Sequence, residues 1–452
     1  MFYFSAVVLA LLAPGITAMN ILNVSAITSL KTTSSHNSHT NSSEPPSTSS
    51  MPFTVINRAV KNGSSIVSTA GIAQTLFMTI NVGTPPVTLN VQIDTGSSTF
   101  WIVSTLCNAG NGCTPAVTAN AFNPTKSRSL LNISRTSVKR QYGDGTKIEC
   151  TIVTDLLVIA GISIPNQNIC AATSINLASL GLDGLIGLGP PRQSDPADVF
   201  ENIRSVINIP RVSFYYDQSV NSLEATQPIA SSGEITFGTP NPARYTGNFT
   251  WLPTIPNMSQ WAVGIDYIIA GGQTVVTTQM FLFDTGTTLI YLDQQLFPFI
   301  NTAMGGISKQ GGIYELDCSL VHTLQPITFS LGGIGARLTL SWNMQYFTLD
   351  NTRCISIFTT SPSQSNIFGG IFLQHFYTSF DYNESRIGLA APVNNNKWND
   401  ADILPRVSKT ATESNSAAKS TRLISTVGWE SICAISMASV STLVSLMGGL
   451  YP

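Results

Sequence analysis

Two copies of one tripeptide constrain this chain more than any other feature. In Val91-Gln92-Ile93-Asp94-Thr95-Gly96-Ser97-Ser98-Thr99-Phe100-Trp101 an apolar run delivers an aspartate to a sharp Thr-Gly turn, and a second apolar run leads away. The pattern returns in Phe281-Leu282-Phe283-Asp284-Thr285-Gly286-Thr287-Thr288-Leu289-Ile290, 190 residues further on. That interval is about one domain length, so each copy is expected in its own lobe. A single copy would say little. Two copies, each framed by strand-forming residues and followed by hydroxyl side chains, point to one shared site rather than two unrelated turns.

Chemistry explains why a pair is needed. Hydrolysis of a peptide bond without metal or covalent nucleophile requires one group to deprotonate water and another to protonate the carbonyl oxygen. Two carboxyls held about 3 Å apart cannot both ionise, so they share a proton and supply base and acid together. Glycine at the third position allows close backbone approach. The hydroxyls of Thr95, Ser97, Thr285 and Thr287 are expected to orient the carboxylates.

Further residues then match a known pattern one at a time. Tyr142-Gly143-Asp144-Gly145 lies 48 residues after Asp94, Asp183-Gly184-Leu185-Ile186-Gly187-Leu188-Gly189 and Ile367-Phe368-Gly369 are apolar-apolar-Gly segments, and Phe376 to Asp381 and Ile387 to Ala390 are late strands. In order and spacing, residues 70–393 resemble the pepsin-like aspartic proteases. The resemblance implies an all-β, bilobal fold with few short helices and the cleft between the lobes. It implies Asp94 and Asp284 as the catalytic pair. Tyr142, Gly143 and Asp144 would form a substrate-covering flap, with Trp101 supporting the tyrosine. The two apolar-apolar-Gly segments would pass beneath the catalytic loops. Some fungal relatives with aspartate at the position of Asp144 accept lysine beside the scissile bond. Gly370 stands where the family commonly has an aspartate, which implies a working pH nearer neutrality.

The rest of the chain gives an expected division. Residues 1–18 read as a signal peptide, with a short apolar stretch from Phe4 to Leu12 broken by Pro14-Gly15. Residues 19–68 form a Ser/Thr-rich segment where the family carries a basic inhibitory propeptide. Here Lys31 and Lys61 are its only lysines and no dibasic site occurs, so inhibition is left open. Met51 to Ile56 reads as one strand. The lobes are expected at 69–238 and 239–393, with helices at Asp195 to Ile207 and Gln294 to Met304. A polar stalk (394–422) precedes a nearly uncharged apolar stretch in 423–452, an arrangement expected of a lipid-anchor signal. A transmembrane helix is the rival reading, but no basic residue follows the tail.

Seven cysteines suit a secreted chain. The family resemblance implies bridges Cys107–Cys113 and Cys318–Cys354, and the strand positions of Cys150 and Cys170 suggest a third, leaving Cys433. Sequons begin at Asn23, Asn41, Asn62, Asn132, Asn248, Asn257 and Asn383. With 22 basic and 24 acidic residues, no charge surplus points to nucleic acid. The four histidines form no ligand set and Gly-x-Ser-x-Gly is absent, so neither metal, cofactor nor serine nucleophile is expected. The expected activity is an endopeptidase on polypeptide substrates, acting as a monomer. The alternative is a surface binding module that keeps the fold without catalysis.

Overall fold

The structure is a computed structural model describing residues 48–59, 72–111, 113, 120–143, 145–176, 183–191, 195–217, 229–276, 278–309, 313–331, 333–349, 353–360, 365–393 and 403–404. The expected signal peptide, the anchor segment, Cys433 and Asp144 lie outside the described residues. Among the described residues no helix is long and apolar enough to cross a membrane.

Strands dominate, in the all-β bilobal architecture expected. We label β1 Thr48–Ala59, β2 Ile72–Val82, β3 Val87–Asp94, β4 Trp101–Ile102, β5 Asn132–Gln141, β6 Lys147–Ile159, β7 Ile162–Asn176 and β8 Gly184–Gly187. Among the described residues these eight join β9 (Arg211–Tyr216), β10 (Ile229–Gly238) and three later strands in one thirteen-stranded sheet. The later strands are Tyr245–Pro253, Tyr377–Asp381 and Arg386–Pro392, so the sheet runs across the expected lobe boundary at 238/239. A second sheet takes most strands from Ala262 onward, and a four-stranded sheet lies within 307–356.

Side-chain patterning explains which strands go where. Along β6 burial alternates almost strictly, as expected of a strand with one face on the core. In Gly184–Gly187 all four residues are buried. That short strand runs parallel to β3 and antiparallel to β4, covered on both faces, and therefore reads as a continuous apolar run.

The strand expected at Met51 to Ile56 is longer than expected, and a segment expected as stalk contributes another. β1 begins at Thr48 and sits between β10 and β2, with Phe53 only 1% exposed. Ile403–Leu404, inside the expected stalk, pairs antiparallel with Ala336–Leu340. Backbone pairing, which polar composition does not forbid, places both. The expected helices are also shorter, at Phe200–Ile203 and Leu296–Ala303. Asp198 rather than Asp195 accepts the first N–H groups, from Phe200 at 2.9 Å and Glu201 at 3.3 Å. Asp293 does the same for Gln295 and Leu296, both at 2.8 Å.

All three bridges form: Cys107–Cys113, Cys150–Cys170 and Cys318–Cys354, with Cα separations of 5.6, 5.3 and 5.3 Å. Asn132, Asn248, Asn257 and Asn383 are exposed.

Candidate active site

β3 ends on Asp94, and the strand Met280–Phe283 ends one residue before Asp284. Each strand is flanked in parallel by an apolar-apolar-Gly segment, Gly184–Gly187 for the first and Asn366–Phe368 for the second. The backbone of each aspartate then bonds its flanking segment, accepting in the first loop and donating in the second. Leu188 N–H donates to Asp94 O at 2.7 Å, and Asp284 N–H donates to Phe368 O at 3.1 Å. Under the second loop, Phe281, Phe283, Phe368 and Phe372 pack together, with Phe368 and Phe372 stacked at 4.1 Å. Gly370 is buried, and its N–H donates to Thr287 O at 2.7 Å.

The loops meet tip to tip. A Cβ on Gly96 would fall 2.6 Å from Asp284 Cγ, and one on Gly286 would fall 2.7 Å from Asp94 Oδ1. Each glycine thus leaves room for the opposite carboxyl. Asp94 Oδ1 accepts from Gly96 N–H at 2.8 Å and its Oδ2 from Ser97 Oγ. Asp284 Oδ1 accepts from Gly286 N–H at 2.7 Å and its Oδ2 from Thr287 Oγ1 at 2.6 Å.

Thr95 and Thr285 behave differently from expectation. Neither hydroxyl bonds an aspartate. Thr95 Oγ1 donates to Phe283 O at 2.9 Å and accepts from Thr285 N–H at 3.0 Å. Thr285 Oγ1 donates to Ile93 O at 3.0 Å and accepts from Thr95 N–H at 3.1 Å. Their side chains point across to the opposite loop and tie the two together.

Burial raises the Asp94 carboxyl well above its ordinary value, and the neighbouring Asp284 charge pushes the same way. Hydrogen bonds from Ser97 and Gly96 only partly offset this. The pair therefore holds a proton where an isolated aspartate would have lost it.

β5 and β6 form an antiparallel hairpin whose tip carries Tyr142 and Gly143. Gly145, at φ 87°, closes the turn with its N–H on Tyr142 O at 3.0 Å. Tyr142 packs against the apolar group containing Trp101, Ile148 and Leu185. Its phenol is pushed far above the ordinary value by burial and by the Asp94 charge, with the nearby Trp101 indole acting in the opposite direction.

The structure also assembles contacts that sequence reading missed. Trp261 Nε1 and Tyr382 OH both donate to Leu188 O, at 2.9 and 2.6 Å. Arg140, two residues before Tyr142, reaches Asp195. No local motif marks the first contact. For the second, a charged residue in step with Val138 and Tyr142 on a half-buried strand was an available signal.

Residues 75–392 match the family model described as eukaryotic aspartyl protease. The chain is 30% identical over 334 residues to cathepsin E-B of Xenopus laevis, covering 70% of this chain and 79% of that protein. It is 29% identical over 328 residues to pepsin A of Suncus murinus and 27% identical over 330 residues to human gastricsin. Each of those alignments covers 70% of this chain and 80% of the relative.

Proposed function

The chain belongs to the eukaryotic aspartyl protease family, and on that premise we propose that it is an aspartic endopeptidase acting on extended polypeptides. One observation carries the proposal: two Asp-Thr-Gly loops meet with each glycine against the other loop's carboxyl. Water held between Asp94 and Asp284 gives a proton to the ionised carboxyl as its oxygen attacks the scissile carbonyl carbon. The protonated carboxyl donates to the carbonyl oxygen, and a tetrahedral diol results. As the diol collapses, one carboxyl protonates the leaving nitrogen while the other carboxylate takes a proton from a diol hydroxyl, and the C–N bond breaks. Gly96, Gly286, Ser97 and Thr287 hold the carboxyls by the bonds described above. Tyr142 closes over the substrate with Trp101 behind it, excluding bulk water. The substrate lies extended and bonds through its backbone, so several of its residues are expected to contribute to binding.

Asp94→Asn and Asp284→Asn test this directly. Each amide matches the carboxyl in shape but cannot share the proton. Turnover of a denatured protein by the wild type should be blocked by a statine-type mimic and abolished in both variants, with melting behaviour retained. Absence of turnover by folded wild type from about pH 3 to 7 would favour the binding module instead.

Three disulfides fit an oxidising compartment. We extend the proposal to the cell surface, reached through residues 1–18, with glycans on exposed sequons and a lipid anchor in 423–452. Release by a phospholipase that cuts glycolipid anchors would support the anchor. Membrane association that survives the enzyme would favour a transmembrane tail.

A further inference from the structure

One polar cluster beneath the hairpin has no part in the proposed reaction. Along the end of β5, Lys139 and Gln141 are exposed while Val138, Arg140 and Tyr142 are half-buried, the alternation of a strand with one face inward. Val138 and Tyr142 on that face pack against the apolar cluster that contains Trp101, Ile148, Leu185 and Ala197. Arg140 lies between them, and a cation there requires a partner. Its Nη2 is 3.3 Å from Asp195 Oδ1, with the side chains 31% and 3% exposed. Its Nε donates to Thr99 Oγ1 at 2.9 Å.

Asp195 is held in turn from the catalytic loop. Its Oδ2 accepts from the Thr99 hydroxyl and from Ser98 Oγ at 3.2 Å, and its Oδ1 accepts from Ala197 N–H at 3.1 Å. Ser98 and Thr99 directly follow Ser97, whose hydroxyl donates to Asp94. Polar contacts therefore tie the hairpin to Ser98 and Thr99, and the backbone joins these to Ser97 and its bond to the first aspartate. The cross-hairpin pair Lys139–Glu149 offers a contrast: at 76% and 38% exposure it lies in solvent and constrains little.

We propose that the Arg140–Asp195 ion pair is a latch that fixes the height of the hairpin over the dyad, making both residues positioning residues for catalysis. This rests on the peptidase reading above. Lifting the hairpin would separate the guanidinium from a nearly buried carboxylate and leave that charge with its hydrogen bonds but no counter-ion. The hairpin is thereby held at one spacing, and Tyr142 with it. The Tyr142 phenol feels both charges, Arg140 favouring its ionisation and Asp195 opposing it, as their proximity requires.

The test uses the full chain as Arg140→Gln, Arg140→Lys, Asp195→Asn and the Arg140→Gln/Asp195→Asn double variant. Amide hydrogen exchange across residues 138–148 is read beside kcat and KM on one uncharged peptide. In Arg140→Gln the hairpin amides should exchange about tenfold faster or more while core strands keep their rates. kcat/KM should fall about tenfold or more, since a displaced Tyr142 costs transition-state contacts. Lysine should recover part of both, and the double variant should lose little beyond either single change. Hairpin exchange at the wild-type rate in Arg140→Gln overturns the latch, as do fully additive losses in the double variant. Should Asp195→Asn fail to fold, the glutamine and lysine variants still decide the question. Exchange needs no turnover, so the two readings fail separately: an inactive wild type removes the peptidase, and an unmoved hairpin removes the latch.

Discussion

At Gly96 and Gly286 the missing side chain is what lets two carboxyls meet. A methyl at Gly96 would overlap Asp284, with Cγ only 2.6 Å away and both oxygens at 2.7 Å. Gly96→Ala should leave the protein folded, because the loop tips can part, and should lower kcat about a hundredfold or more, the scale of a misplacement of about 1 Å. Steady-state kinetics beside a melting curve check this, and near-normal kcat would contradict the geometry. The raised Asp94 carboxyl makes a second prediction. Folded Asp94 holds its proton above the ordinary value of 3.8, whereas unfolding returns it to that value. Between those limits the folded state binds more protons, so stability falls as pH rises. The contribution is complete below the ordinary value and lost above the raised one. Urea unfolding from about pH 4 to 7 should show wild type losing stability relative to Asp94→Asn; parallel curves would exclude the shift. These roles were legible because Asp-Thr-Gly occurs twice. The roles of Thr95 and Thr285 were not, since a hydroxyl beside a carboxylate suggests a local bond and only the facing loop offers the alternative.

Strands divide by how much of their placement is local. The hairpin of β2 and β3 was readable from Gly83-Thr84-Pro85-Pro86 between two apolar runs, and Tyr142 to Gly145 marked the turn after β5. β1 was readable only in part. Met51 to Ile56 has strand character, but the full strand Thr48–Ala59 is set by pairing with β10 and β2, which lie far off in sequence. Phe53 anchors it, its ring 5.2 Å from Tyr216 and 6.5 Å from Phe214. Phe53→Ala should destabilise the protein by about 3–5 kcal/mol through lost burial and a cavity. A loss under about 1 kcal/mol in urea unfolding would mean that β1 contributes little to the folded state. The helices show the same limit: Asp198 and Asp293 took the capping role because the preceding chain delivers them there, which an N-terminal signature alone does not fix.

Across the whole molecule, the two halves are joined by buried polar contacts rather than by apolar packing alone. Thr95 and Thr285 make four bonds between the loops, two to each other and one each to Phe283 O and Ile93 O, and Trp261 and Tyr382 converge on Leu188 O. Thr285→Val keeps volume while leaving the Thr95 N–H and Ile93 O without their partner. Each orphaned group should cost about 1–3 kcal/mol. Activity should fall with stability, because the same bonds set the spacing of the carboxyls. Chemical denaturation and kcat measured together check this, and a variant with full stability and activity would show that the crossed threonines hold nothing.

Resemblance to a known family pointed to the tyrosine hairpin and to two of the three cysteine pairs, while the residues by themselves determined two aspartates in repeated turns and all-β patterning. Those signals are local, because turn residues, strand alternation and motif spacing act over a few neighbours. Tertiary structure decided everything that depended on distant chain segments meeting. It placed β1 and Ile403–Leu404 in sheets, turned two threonines across the loop junction, and set Arg140 against Asp195. Backbone pairing and buried charge are satisfied by whichever group arrives nearby, and no window of sequence contains both partners.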